Sequence, residues 1–158
     1  MSTKPQASAS KSDSIIRYTQ IAAVIFAVMT VVFDVFAYKI AQYVCYFLLG
    51  KFANGYVAVT TGAFFVASIF IFAILYALYK LLNAIRRGEL FVDSNLKLIN
   101  IAEFGCVGLT LLFALMYVVG EGFILLAAIA AFMSLIISCV KIMIQRATEL
   151  KEENDLTV

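Results

Sequence analysis

Four long apolar segments without a charged residue constrain this chain more than any other feature. A bilayer core about 30 Å thick is crossed by about 20 helical residues, and within it the backbone must satisfy its own hydrogen bonds. With their flanks the four segments fit that length, so the sequence predicts an all-α fold, an integral membrane four-helix transmembrane bundle. The segments are Tyr18–Phe33, Val57–Tyr79, Phe104–Gly120 and Phe123–Val140.

Composition supports a membrane protein over a soluble one. Hydrophobic residues make up 64% of the chain and charged residues 14%, whereas a soluble domain averages about 45–50% and about 25%. A soluble fold of 158 residues has too much surface to hide so many apolar side chains. We therefore expect the lipid bilayer to surround the spans.

The distribution of basic residues predicts the orientation. Of the 12 Lys and Arg residues, only Lys39 and Lys51 fall between spans one and two, and the rest share the opposite side. Because basic loops stay in the cytosol, we expect both termini there, in a bacterial cytoplasmic membrane. The bulky Phe36 between Val35 and Ala37 makes a poor cleavage site, so the first span is expected to be an uncleaved anchor rather than a signal peptide.

Three regions follow from this pattern. Residues 1–14 are polar and rich in serine, which is typical of a disordered segment, and they are expected to form a cytosolic tail. Residues 15–144 form the four-span bundle. Residues 145–158 form an acidic cytosolic tail.

The segment Asp34–Tyr56 between the first two spans is too apolar for a plain loop. Its polar residues recur at every fourth position, which is helical amphipathicity. We expect a short amphipathic extracytoplasmic helix between spans one and two, or an outward extension of helix one that ends near Gly50. Such an element would cap the bundle or sense a ligand. The polar residues are Asp34, Tyr38, Gln42 and Tyr46.

Ionisable residues inside membrane spans are candidates for function. Asp34 and Glu103 fit this description, and both lie near span ends. Lys97 and Lys141 are possible partners for Glu103. A proton or ion pathway needs a chain of polar groups at membrane depth, which this pattern does not supply.

The residue types for most enzyme chemistry are missing. The chain has no histidine, which removes the commonest general base and metal ligand. Cys45, Cys106 and Cys139 form no C-x-x-C pair, and no glycine-rich phosphate loop occurs. The sequence predicts a protein that is not an enzyme, with no catalytic residues, no cofactor and no metal site.

Small residues form stripes on two of the predicted helices. Gly105 and Gly108 lie on one face of the third helix, and Ala127 and Ala131 on one face of the fourth. Small faces allow membrane helices to pack closely. We expect them to pack within the hairpin of the last two helices; a homodimer or a larger membrane complex is the alternative.

The cytosolic side carries the accessible charges, with a basic loop after span two and an acidic tail after span four. Opposite charges of this kind suit docking on a protein partner, although single exposed pairs are weak; the basic residues also fix topology and attract anionic lipid. The candidate partner-binding residues are Arg86, Arg87, Phe91, Asn95, Glu152, Glu153, Asp155, Leu156 and Val158.

Two motifs carry a resemblance: Arg87–Phe91, which reads R-G-E-L-F and precedes Asn95, and the closing residues E-N-D-L-T-V from Glu153 to Val158. The chain resembles a domain-of-unknown-function family of small bacterial four-span membrane proteins whose members end in an E-x-D-L-T-V signature. Members are often encoded beside a Cro/repressor-type helix-turn-helix regulator. The resemblance implies no catalytic activity and suggests regulation.

The leading hypothesis is therefore a non-enzymatic membrane regulator or sensor. It binds a cytosolic partner, such as a small helix-turn-helix transcriptional regulator, through its inner loop and acidic tail, and does not itself bind nucleic acid. A small transport or permeability component, or a structural subunit of a larger membrane complex, is the alternative.

Overall fold

The computed structural model describes residues 4–50, 54–87 and 93–156. These ranges form four α-helices: α1 (Lys4–Tyr43), α2 (Asn54–Arg86), α3 (Asp93–Leu115) and α4 (Phe123–Leu156). Each contains a segment long and apolar enough to cross a membrane. The prediction of an all-helical fold with four helices long and apolar enough to span a membrane is confirmed.

Helix α1 is longer at both ends than the sequence indicated. Its backbone is helical from Lys4, although composition predicted an irregular chain up to residue 14. A helix already nucleated in an apolar span extends by one hydrogen bond per residue, so a polar end can continue it. The division into two tails and a bundle stays a prediction.

Beyond residue 33, α1 continues without a break and ends in a π-helical turn, Val44–Leu48. The Leu49 N–H donates to the Val44 carbonyl oxygen at 3.0 Å. Gly50 then has φ 61°, a left-handed conformation that glycine adopts without steric cost, and the chain reverses towards α2. The segment after Asp34 is therefore an extension of α1 and not a separate helix between the first two spans. Its position outside the membrane stays a prediction.

Successive helices run antiparallel. Cys45 contacts Thr60 while Asp34 contacts Ser68, which sets α1 against α2. Phe113 packs near Phe123 and Glu103 near Lys141, which sets α3 against α4. The helices thus form an array with two ends. We call the end that carries Arg86 the basic end, and the other, where α3 turns into α4, the Gly120 end.

The glycine face of α3 packs on α2 and not on α4. A Cβ atom at Gly108 would lie 2.5 Å from Cε1 of Phe70, and one at Gly105 would lie 2.7 Å from Cγ1 of Ile74. Absent side chains let the two backbones approach. The expectation that this glycine face packs against α4 within the hairpin is therefore wrong. Which neighbour the face meets depends on the rotation of α3 about its axis, and a stripe of small residues does not specify that rotation.

Most of the buried core lies at the Gly120 end. Ala63, Met116, Val119 and Phe123 form one cluster, and Phe64 also packs on a second cluster around Cys45. Phe33 meets Phe64 edge to face with ring centroids 5.3 Å apart, a favourable aromatic geometry.

Helices α1 and α4 do not pack along each other within the described ranges. An apolar groove separates them instead. One part of the groove has a volume of about 410 Å³ and is lined by residues that include Phe33, Phe64 and Leu126. The array is thus open on one side. Numerous large apolar side chains on the helices are exposed, as lipid-facing residues are.

Candidate functional site

Glu103 on α3 contacts two side chains of α4. The Ser138 hydroxyl donates to Glu103 Oε1 at 2.6 Å, and the Lys141 ammonium donates to Oε2 at 3.0 Å. The serine and the lysine lie three positions apart and hence on one helix face. We call Glu103, Ser138 and Lys141 the α3–α4 clasp. It confirms one of the two partners proposed for Glu103, since Lys141 and not Lys97 forms the ion pair.

The α3–α4 clasp lies near one edge of the predicted membrane core. Lys141 follows the start of α4 by 18 residues, or about 27 Å of helix at 1.5 Å per residue. A hydrocarbon core is about 30 Å thick. The side chains of Lys141 and Glu103 keep 27% and 26% of their surface exposed, so the ion pair is accessible at that edge rather than sealed in the interior.

Asp34 makes a second contact between neighbouring helices. The Ser68 hydroxyl lies 2.5 Å from Asp34 Oδ1 and 3.0 Å from the carbonyl oxygen of Phe64 in its own helix. A hydroxyl carries one proton, so it donates to one of these acceptors at a time. Ser68 is buried, with 4% exposure. We call Asp34 and Ser68 the α1–α2 clasp.

The two clasps share a pattern that the sequence did not reveal. Each joins a carboxylate on one helix to a serine on the next, at sequence separations of 34 and 35. Nothing in a single sequence marks a serine as the partner of a distant carboxylate, because serine is ordinary in membrane helices. The clasps lie at different helix interfaces, and their polar atoms do not join into one pathway within the described residues.

The predicted partner-binding residues of the loop are only partly described. Arg86 ends α2 and Arg87 follows in a turn, and both side chains are exposed. Asn95 lies in the first turn of α3 and is buried, with 4% exposure, so it is less accessible than Arg86 and Arg87. Phe91 lies outside the described residues. The assignment of this loop to partner binding stays a prediction.

The acidic tail is helical up to Leu156. The side chains of Glu152, Glu153, Asp155 and Leu156 lie outside the described part of the structure, as does Val158 altogether. Their assignment to partner binding also stays a prediction. The structure shows that the backbone of this tail continues α4 without a break, and so runs in the same direction as the last span.

The described residues give no group of three or more His, Cys, Asp or Glu side chains arranged to hold a metal ion. Cys45 and Cys106 are buried as free thiols, whereas Cys139 is exposed. The Cys45 sulfur lies 3.4 Å from the Thr60 hydroxyl, a contact that joins α1 to α2. The polar contacts described here therefore join neighbouring helices, α1 to α2 and α3 to α4.

A family model described as a protein of unknown function, DUF2975, matches residues 48–158. The chain belongs to the DUF2975 family. The match includes α2, α3, α4 and the α3–α4 clasp, while α1 precedes it. This DUF2975 chain therefore shares with its family the part that carries the basic loop and the tail. No curated protein matches it, and no solved structure does.

Proposed function

We propose that this DUF2975 chain is a non-enzymatic protein of the bacterial cytoplasmic membrane that binds a small helix-turn-helix transcriptional regulator at its basic end. In this proposal both termini are cytosolic. The observation that carries it is the unbroken course of α4, which passes the α3–α4 clasp and continues as a helix to Leu156.

The length of α4 supports a helical segment that extends beyond the bilayer core and is available to a partner. From Lys141 to Leu156 the helix has 15 further residues, which is about 22 Å at 1.5 Å per residue. Lys141 lies near the edge of a bilayer core, so this part extends beyond the hydrocarbon. The α3–α4 clasp ties α4 to α3 just before the projection starts, and so limits how the projecting part can tilt.

Charge supports the nature of the partner. The sequence of the tail is acidic, with Glu149, Glu152, Glu153 and Asp155 against Arg146 and Lys151. A DNA-binding regulator carries a basic surface for phosphate, and an acidic helix attracts such a surface. A regulator bound there would have that surface covered, and would bind DNA only after release. The resemblance to proteins encoded beside Cro/repressor-type regulators supports the same partner.

The test is recovery of a purified helix-turn-helix regulator on the full chain in lipid nanodiscs. Truncation after Gln145 removes most of the acidic tail and keeps the α3–α4 clasp. We expect the truncated chain to lose at least tenfold in affinity, which corresponds to about 1.4 kcal/mol. Equal recovery on both forms would remove the tail from the proposal.

A charge-matched comparison separates the tail from the net charge of the chain. Replacing Glu152 or Glu153 singly with glutamine should weaken binding and make it less sensitive to salt, because paired charges are screened. The control is Glu121→Gln, which removes a carboxylate from the Gly120 end, where Glu121 is exposed. That variant should bind the regulator as the parent does.

Transport is the second candidate function, and the two carboxylates motivate it. If Asp34 and Glu103 carried a proton or an ion, Asp34→Asn and Glu103→Gln would abolish flux across vesicles. The position of the two clasps at separate interfaces favours unchanged flux. The open side between α1 and α4 suits a third candidate function, a subunit of a larger membrane complex, which crosslinking in native membranes would detect.

A further inference from the structure

We propose that the cleft between α1 and α2 near the basic end binds one anionic phospholipid, with an acyl chain in the cleft and the phosphate beside Lys80. The site needs no cytosolic partner and is independent of the function proposed above. Its volume is about 230 Å³. Its lining includes Ala23, Val24 and Ala27 of α1 and Phe72, Tyr76 and Tyr79 of α2.

The cleft exists because its two walls differ in side-chain size. Two of the α1 residues are alanines, which leave space beside the helix, and the α2 wall is aromatic. Tyr76 and Tyr79 are 54% and 46% exposed, although they stand between two packed helices. Tyrosine prefers the depth where acyl chains meet headgroups. An apolar slot with tyrosines at its mouth therefore matches the two chemical parts of a lipid.

Lys80 supplies a cation at that mouth. Its ammonium nitrogen lies 5.2 Å from the centre of the Tyr76 ring, within the range of a cation–π contact. This contact holds the ammonium beside the cleft and leaves N–H donors free for a phosphate oxygen. The side chain is exposed, so a headgroup has access to it.

The charge near the mouth of the cleft is mainly basic. Arg17 precedes Val24 by seven residues, which places it on the same face of α1 about 10 Å nearer the basic end. Helix α2 contains no Asp or Glu, and none occurs between Arg17 and Phe33 of α1. Lys141 on α4, by contrast, forms an ion pair with Glu103. Asp13, four residues before Arg17 in α1, is the nearest carboxylate on that helix and lies a further turn away from Val24. Lys80 has none on α2, and an anionic headgroup complements its charge.

The experiment uses the absence of tryptophan from the chain. In the full-length protein, Tyr79→Trp places a single fluorophore in the cleft. Ile142→Trp places a fluorophore on α4, within about one helical turn of the depth of Tyr79. It lies next to Lys141, which is paired with Glu103. Each variant is reconstituted in vesicles of brominated phosphatidylglycerol or of brominated phosphatidylcholine, mixed with unbrominated lipid, and quenching gives the relative affinity of each lipid.

We expect phosphatidylglycerol to be preferred about fivefold over phosphatidylcholine at the Tyr79→Trp position, since a basic residue near the surface contributes about 1 kcal/mol. At the Ile142→Trp position the preference should be clearly weaker, because Lys141 is paired with Glu103 and Arg146, one turn on, is followed by Glu149 three positions later. Adding Lys80→Gln should remove the preference at the cleft. Lys97→Gln, which removes an exposed lysine from α3, should leave it unchanged.

Three results would overturn the proposal. One is the same lipid preference at the Tyr79→Trp and Ile142→Trp positions, which would show general attraction to the surface. Another is a cleft preference that survives Lys80→Gln combined with Arg17→Gln. The third is displacement of the bound lipid by millimolar glycerol phosphate, which would show a phosphate site that does not use the apolar cleft.

Discussion

The Lys141 ammonium nitrogen lies 3.0 Å from Glu103 Oε2 and ties α3 to α4. Both side chains are about one quarter exposed, so the pair lies at the surface of the helix array. Ser138 holds the other carboxylate oxygen, which fixes the orientation of the carboxylate. The last part of α4 starts from this fixed point.

Breaking this pair should cost a modest amount of stability. Glu103→Gln and Lys141→Gln are each expected to lower the free energy of unfolding by about 0.2–1 kcal/mol, because the pair is partly exposed and screened. The double variant should cost less than the sum of the two. Unfolding in mixed micelles by a denaturing detergent measures all three. Strict additivity would show that the pair contributes no coupling.

The glycine contact between α2 and α3 gives a prediction with a built-in control. Gly108→Ala would place a Cβ 2.5 Å from the Phe70 ring, and we expect a loss of about 1–3 kcal/mol from overpacking. Gly62→Ala lies in the interior of α2 with no atom within 4 Å of its Cβ. That change should be neutral or stabilise by up to about 1 kcal/mol, because alanine is the better helix former.

The opposite order of stability for the two glycine variants would contradict the rotation of α3 described here. The same unfolding assay decides it. A third variant, Gly105→Ala, is expected to fall between the two, because its Cβ would lie 2.7 Å from Cγ1 of Ile74, a less close contact than the one at Gly108.

Ser68→Ala should loosen α1 from α2. A hydrogen bond between membrane helices contributes about 0.6 kcal/mol on average and about 1.7 at most, and we expect a loss in that range. Thr19→Val is the matched control, since Thr19 donates only within its own helix, to the Ile15 carbonyl oxygen at 3.0 Å. Crosslinking yield between α1 and α2 should fall in the first variant alone. A similar fall in the control would assign the effect to loss of the hydroxyl contact within one helix, since Ser68 also bonds the carbonyl oxygen of Phe64.

The three cysteines should differ in reactivity. Cys45 is fully buried and Cys106 nearly so, while Cys139 is exposed. A small apolar maleimide in detergent is expected to label Cys139 first and the other two at least tenfold more slowly, because access controls the reaction. Mass spectrometry of peptides locates the label. Early labelling of Cys45 would show that the contact between α1 and Thr60 of α2 opens readily.

The proposed orientation has its own test. A reporter that is active only in the cytosol should be active when fused after Val158, and inactive when inserted after Gly50, where the chain reverses. The charge bias predicts this result. Activity at Gly50 and silence at Val158 would place the acidic tail on the wrong side for a transcriptional regulator, and that proposal would have to be dropped.

The sequence predicted the parts of this structure that depend on length and polarity. Four helices follow from the thickness of a bilayer and the need to bond the backbone internally. Lys141 was identified as a possible partner of Glu103 because both lie near one edge. The end of the segment after Asp34 was placed near Gly50, whether that segment formed a separate helix or extended α1, and the structure gives Gly50 a positive φ there.

What the sequence did not predict depends on the rotation of helices about their axes. Gly105 and Gly108 face α2 only because α3 presents that side to Phe70 and Ile74. The pairing of Asp34 with Ser68 depends on the vertical register of α1 on α2, which no local pattern encodes. The proposed role of the tail residues from Glu152 onward is partner binding. That role depends on a second molecule and therefore does not follow from the fold of this chain.

The lateral order of the helices has a mechanical consequence. In the described part of the chain α1 packs along α2 and not along α4, and α1 lies before the segment shared with the DUF2975 family. A displacement of the first helix can therefore reach the α3–α4 pair mainly by pushing on its immediate neighbour.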